Sequence, residues 1–457
     1  MNDNASPPAS SHFPPASRRS PGMVALVLLT FFVISLLTNI IGPLVPDIIK
    51  SFELSLTLVA LLPFAFFIAY GVMSVPAGML LERCREKPVM VGAFALAFVG
   101  ALLFSTLPRY PTAIVSLFLI GAGMAALQVA INPLLRVAGG EEHYAFNSVL
   151  AQIIFGGASF LSPFIYTYFV RNLGRPGSET KPLIGLMSKL VPPALPWVAV
   201  YWIFAALVVV MVVVLAVVRF PVVVRKEEER AGAWAAHKEL FKNRTVLLYF
   251  LGIFAYVGTE QGVANWISQF LLAYHKYDPQ TVGAGKVSLF WGLMTVGGIL
   301  GLILLKFLDS RKVLLGFTVA ALVFLTLALF GPGSLALVMF PLVGFAASVM
   351  WPVIGSLALV MFPLVGFAAS VMWPVIFSLA LNSVSSRHGS FSGILCTGIV
   401  GGALVPLLIG RLGDAFGLRQ GLLVLYLTLG YILSIGIWAR PLIANETLAM
   451  KKKGEAA

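Results

Sequence analysis

Runs of apolar residues long enough to cross a bilayer follow one another along almost the whole chain, and no other feature narrows the fold as far. A helix rises about 1.5 Å per residue, so about 20 apolar residues cover a hydrocarbon layer of roughly 30 Å. Such runs extend from Met23 to about Lys50, then over about 55 to 81, 88 to 107, 112 to 136, 145 to 170 and 195 to 219. After a charged interval they resume at about 245 to 274, 282 to 308, 313 to 330, 335 to 382, 390 to 410 and 420 to 439. Only helices and closed barrels satisfy their own backbone hydrogen bonds in lipid, and apolar runs of this length read as helices. With 59% hydrophobic and 11% charged residues, against roughly 25% charged in a soluble domain, the expected class is an all-α integral membrane protein.

Residues 1–22, rich in Pro, Ser and Ala, read as a disordered cytoplasmic tail. The first apolar run is too long for a signal-peptide core and is expected to remain as the first span. Six spans then make an N-terminal bundle over 23–219. The charge-rich segment 220–244 reads as a cytoplasmic amphipathic linker, 245–440 as a C-terminal six-helix bundle, and 441–457 as a second cytoplasmic tail. The net charge of +13 sits in short loops and reports topology, so no nucleic-acid partner is expected. The lipid bilayer is the expected partner of the apolar surface. Cys84 and Cys396 lie in unlike settings and suggest neither a disulfide nor a metal pair.

Residues 333–354 recur without change at 355–376, a tandem copy of 22 residues. One copy as helix is about one bilayer thick, so the extra segment could add a thirteenth span, form a re-entrant hairpin or lengthen a bent segment. A thirteenth span would move Arg387, Arg440 and Lys451 to Lys453 to the outer side, against the positive-inside rule. An even number of crossings with both termini cytoplasmic is therefore expected, the extra copy being a duplication without a role in transport.

One acid lies deep. Glu260 is about fifteen residues from either end of the apolar segment 245–274, near the bilayer midplane, and no other acid or base is placed so deep. Gln261, Asn265 and Gln269 follow at helical spacing, which would line one face with amides beside the carboxyl group and Trp266. An ionisable group at that depth costs several kcal/mol unless it is neutralised, paired or wetted, and so marks a functional site. Asp47 near the outer end of the first span reads as solvated, with a gate role as the alternative.

The loop after the second span reads Gly78-Met-Leu-Leu-Glu82-Arg83-Cys-Arg-Glu-Lys87. It resembles the signature of the major facilitator superfamily, and Gly78, Glu82, Arg83 and Lys87 are the candidate gate on the inner face. Arg85 stands where a second Gly is usual and Glu86 where an Arg is usual; read without the resemblance, this is an ordinary positive-inside loop. Within that superfamily the chain resembles the fucose and glucose/galactose permeases, or fucose:proton symporters, from about 23 to 440. The likeness is carried by AALQVAINPLL with Asn132 and Pro133, LAQ at 150–152, YVGTEQG at 256–262, WPVIFSLAL at 373–381 and IVGGALVPLLIGRLGD at 399–414.

The resemblance implies the major facilitator fold, two six-helix bundles related by a pseudo-two-fold axis, and a secondary transporter moving a hexose or deoxyhexose such as fucose, glucose or galactose by alternating access, coupled to H⁺ or Na⁺. Gly42 and Gln128 stand where the fucose permease pattern carries its proton-coupling Asp and Glu, and Phe155 where an Asn is usual. Glu260 is then the deep acid left for ion coupling. A pyranose needs amides and carboxylates for its hydroxyls and aromatic rings for its C–H face. Asn39, Gln128, Asn132, Gln152, Glu260, Gln261 and Asn265 are candidates for the first role, with Trp266, Trp291 and Trp373 for the second; interhelical packing and an interfacial belt are the competing roles. The chain carries no metal-ligand or Ser-His-Asp constellation, so neither a cofactor nor an enzymatic reaction is expected. The alternatives are an exporter of drugs or other small metabolites and an uncoupled sugar uniporter. A monomer in the bacterial inner membrane is expected.

Overall fold

The structure is a computed structural model; it describes residues 20–140, 144–173, 175, 177, 180–220, 240, 242–331, 358–383 and 388–442. Among these residues twelve helical spans are long and apolar enough to cross a membrane. Six precede the linker: Pro21–Thr38 (α1) with Ile41–Phe52 (α2), Leu56–Cys84 (α3), Glu86–Thr106 (α4), Tyr110–Gly139 (α5), Tyr144–Asn172 (α6) and, after the short Pro182–Leu190 (α7), Ala199–Val217 (α8). The second six are Arg244–Ala264 (α9) with Ile267–His275 (α10) beyond it, Ala284–Leu304 (α11), Ser310–Phe330 (α12), Ala358–Ala369 (α13) with Met372–Leu381 (α14), His388–Thr397 (α15) with Gly401–Phe416 (α16), and Leu418–Gly421 (α17) with Val424–Trp438 (α18). The second copy of the duplicated segment supplies most of α13 and α14; the first copy and most of the linker lie outside the described residues.

Helix starts follow local chemistry. Ser20, Ser55, Asn243 and Asp309 each accept a backbone N–H of the first turn that would otherwise lack a partner. The turn between α3 and α4 is made by Arg85 at φ 63° and ψ 177°, a region reserved almost entirely for glycine. Here lies the physical reason a glycine is usual at this place in the signature, and an arginine in its stead costs about 1–3 kcal/mol.

Several spans are discontinuous, and the first span of each half breaks at an asparagine. Helix α1 stops at Thr38, Asn39 caps it, and α2 starts at Ile41. Pro43 explains the break, since it has no N–H to give the Asn39 carbonyl and its ring crowds that carbonyl. In the second half α9 stops at Ala264 and resumes as α10 after Asn265 and Trp266. The amide file Gln261, Asn265, Gln269 is thus not one continuous helical face, because the helix turns between its first and third members.

The halves meet along two seams, α3 against α16 and α6 against α11. The face on which α1 and α9 begin and α8 ends is called proximal, the opposite one distal. At the centre, α2 lies against α10, and a Cβ on Gly42 would come within 3.3 Å of Asn265 Cα and closer still to the Ala264 carbonyl oxygen. A residue larger than glycine at 42 would push the two breaks apart.

Candidate functional site

On α9, Gly258 and Gly262 lie one turn apart and form a smooth strip. A Cβ on Gly258 would stand 3.0 Å from Val405 Cβ, and one on Gly262 would stand 2.8 Å from Leu425 Cδ2, so this strip is pressed against α16 and α18. At about 100° per residue, Glu260 lies on the opposite side of the helix from both glycines. The packing of the second half therefore turns the carboxyl group toward the first half.

Both oxygens of Glu260 accept hydrogen bonds. Tyr256, one turn earlier, donates its hydroxyl to Oε2, and Gln261 Nε2 donates to Oε1 over 3.0 Å. The same amide nitrogen stands 3.4 Å from Asn39 Oδ1, and this contact crosses from the second half to the first. Asn39 Nδ2 in turn donates to Ser159 Oγ over 2.7 Å; Ser159 and Ser35 share a hydrogen bond of 2.6 Å, and Ser35 donates to the Phe155 carbonyl. A continuous polar chain thus runs from the acid to the scaffold of α1 and α6. Asn39 and Gln261 are buried in it, whereas Glu260 keeps partial exposure. The half-buried Trp373 ring lies 5.9 Å from the Tyr256 ring and stacks on Phe377 at 5.8 Å.

The structure thus gathers Asn39, Glu260, Gln261 and, through Tyr256, Trp373. Gln128 is half-buried, Asn132 and Gln152 are exposed, and Asn132 donates to the Gln128 carbonyl over 3.3 Å. None of these three amides shares a hydrogen bond with the Glu260 network. Asn265, Trp266 and Trp291 are buried, and the Asn265 amide nitrogen and both indole nitrogens have no hydrogen-bond partner. Trp266 and Trp291 are therefore not headgroup-level anchors but interior groups on the distal side of the breaks. Of the candidate gate, Gly78 is half-buried and Arg83 exposed, while the Glu82 side chain lies outside the described residues. Lys87 donates to the Ala216 and Val218 carbonyls over 2.8 and 2.9 Å, which ties α4 to the end of α8 within one half.

Asp47 corrects the sequence reading. It is 8% exposed, not solvated, and accepts from Tyr166 Oη over 2.7 Å and from Gln280 Nε2 over 3.2 Å. Its partners come from α6 and from the turn before α11, 119 and 233 residues further along the chain. Nothing local in the sequence points to them. Tyr256, Ser35 and Ser159 were also missed as members of the central site; for Tyr256 the i, i+4 spacing to Glu260 was the available signal.

The profile of the Major Facilitator Superfamily matches residues 27–398, more than half of the chain, and the protein belongs to that superfamily of transporters. The chain is 29% identical over 436 residues to the glucose/galactose transporter of Brucella abortus, covering 93% of this chain and 96% of that one. It is 24% identical over 350 residues to the L-fucose-proton symporter of Escherichia coli, covering 72% and 78%. Among solved structures it is similar to the E. coli fucose:proton symporter, with a TM-score of 0.63 at 20% identity and coverage of 91% and 98%. It is also similar to an inward-facing, unoccupied bacterial homolog of the human lysosomal transporter Spinster, with a TM-score of 0.71 at 15% identity and coverage of 92% and 96%. The expected fold, twelve spans in the major facilitator arrangement, is borne out, and so is a transporter as opposed to a membrane enzyme.

Proposed function

We propose that the protein is a sugar transporter of the inner membrane, moving a hexose or deoxyhexose by alternating access with H⁺ or Na⁺ as the coupling ion and Glu260 as the coupling group. The observation that carries the reading is the Gln261 amide nitrogen shared between Glu260 of its own helix and Asn39 of the opposite half. An ionised carboxylate only accepts hydrogen bonds, whereas a protonated one must also donate. Protonation or cation binding at Oε1 therefore weakens the bond to Gln261 and leaves that amide to Asn39. The charge state of one side chain is in this way tied to how the two halves hold each other. Only a ligand with different affinity for the two arrangements shifts such an equilibrium, and a cation at Glu260 meets that condition.

A pyranose suits the surroundings. The half-buried Trp373 offers an aromatic face to its C–H side and Glu260 offers acceptors to its hydroxyls, while Asn132 and Gln152 are further amides exposed elsewhere on α5 and α6. The names of the relatives point to the same substrate class. With cytoplasmic termini, the proximal face is the inner one, and Asn132 and Gln152 stand on the proximal halves of α5 and α6. The candidate gate residues Gly78, Glu82, Arg83 and Lys87 belong to that face, with Lys87 holding the end of α8 of its own half. The protein acts as a monomer in this reading.

The test is uptake of labelled fucose, glucose and galactose into vesicles with imposed pH or Na⁺ gradients. Accumulation of at least one sugar that collapses with its gradient is expected. Uptake of none of them, or accumulation of unrelated solutes instead, would refute the substrate class.

A further inference from the structure

Acidic side chains close the distal face in a reciprocal way. Asp414, at the end of α16 in the second half, sits over the N-terminus of α3 in the first. Its Oδ1 accepts from the Leu56 backbone N–H over 2.8 Å, and its Oδ2 accepts from the Thr57 backbone N–H over 2.8 Å and from Thr57 Oγ over 2.5 Å. A helix N-terminus holds backbone donors without intrahelical partners and the positive end of its dipole, so a carboxylate there is strongly held. Asp47 does the converse. It belongs to the first half, and the second half reaches it through Gln280, whose backbone carbonyl also accepts from Thr167 over 2.7 Å. One acid lies on the α3–α16 seam and the other beside the α6–α11 seam, so together they span the distal mouth.

We propose that Asp47 and Asp414 are a pair of carboxylate latches that hold the distal face shut, each carried by one half and bound by the other. Opening toward the distal side must strip Asp414 of its α3 donors and Asp47 of Gln280, while Asp47 keeps Tyr166, which lies in its own half. The Asp414 latch is the one that separates completely, and its loss has the larger effect. Neither acid touches the Glu260 network in this state, so the latches set which face is open and not what is carried.

The test needs no substrate. In the full chain with Cys84 and Cys396 replaced, a reporter cysteine is placed by Val45→Cys, a buried position on α2 that packs between the halves. A second reporter is Ile153→Cys, exposed on the proximal half of α6. Labelling by a membrane-impermeant maleimide is read from each side in oriented vesicles. Loss of charge-assisted bonds should shift the equilibrium roughly tenfold. Asp414→Asn is expected to raise distal labelling of Val45→Cys by about that factor and to lower proximal labelling of Ile153→Cys, with Asp47→Asn smaller in the same direction. Gln280→Ala and Thr57→Val, which keep both acids but remove the Gln280 amide from Asp47 and the Thr57 hydroxyl from Asp414, should act in the same sense, Thr57→Val less than Asp414→Asn because the Leu56 and Thr57 backbone N–H donors remain. A merely destabilised protein would raise labelling at both reporters, and an unchanged distal rate in Asp414→Asn and Asp47→Asn would equally overturn the proposal.

Discussion

On the first-half side of the central network stand Asn39, Ser35 and Ser159, all buried, neutral and bonded mostly to one another and to backbone. On the second-half side stand Glu260, Tyr256 and Trp373, an acid and two aromatic rings, with the acid and Trp373 partly exposed. Both sides use the same device, a first span broken at an asparagine, yet one side serves as a fixed anchor and the other carries the group that can change charge. Broken helices at the interface of structural repeats are where transporters place their substrate and ion sites, because irregular backbone is tolerated there. If Glu260 is the coupling group, as proposed, the contrast predicts that ion dependence follows changes in the second half more closely than changes in the first.

The largest effect should come from the place where the two breaks touch. Gly42→Leu drives a side chain into the Ala264 carbonyl and should reduce sugar exchange to background, while the protein remains a monodisperse peak in detergent size-exclusion chromatography. Next, Tyr256→Phe keeps the ring against Trp373 and removes the donor to Glu260. A bond to a charged group contributes about 1.5–3 kcal/mol, so kcat/KM should fall about tenfold or more, and the dependence of uptake on pH or Na⁺ should move with it. Asn39→Ala should cost about fivefold, the value of a neutral hydrogen bond near 1 kcal/mol, and should move the ion dependence less than Tyr256→Phe does, because Asn39 meets Glu260 only through the shared Gln261 amide. If Asn39→Ala shifted the ion profile and Tyr256→Phe did not, the division of labour between the halves would be reversed.

The smallest effect lies outside the site. Arg85→Gly relieves the backbone at φ 63° and should raise the unfolding temperature in detergent by about 1 °C for each kcal/mol recovered, with transport unchanged. A change in transport without a change in stability would place Arg85 in the gate beside Arg83.

What was legible in the sequence was whatever one helix decides by itself. Span positions follow from apolar length, and the depth of Glu260 follows from its place within one run. The break at Asn39 was not legible, since Pro43 four residues on denies its carbonyl a partner but Pro46, Pro63, Pro76, Pro133 and Pro163 lie inside helices that continue past them. Contacts across hundreds of residues were not legible either. Asp47 reads as solvated from its position near a helix end, and only the folded chain brings Tyr166 and Gln280 against it. Trp266 and Trp291 carry no mark in the sequence to tell an interior ring from a headgroup anchor, because both need an apolar body with a polar tip. Gln128, Asn132 and Gln152 have the right chemistry for a sugar, but chemistry alone does not bring them to Glu260.

The central claim is that Glu260 couples the ion to the sugar. Its most direct test is simultaneous measurement of sugar and cation flux in proteoliposomes containing either the wild-type protein or Glu260→Gln. The wild type is predicted to move H⁺ or Na⁺ together with sugar and to accumulate sugar against its gradient. The variant is predicted to exchange sugar across the membrane without ion movement or accumulation. Gradient-driven accumulation by Glu260→Gln at the wild-type level would contradict the account.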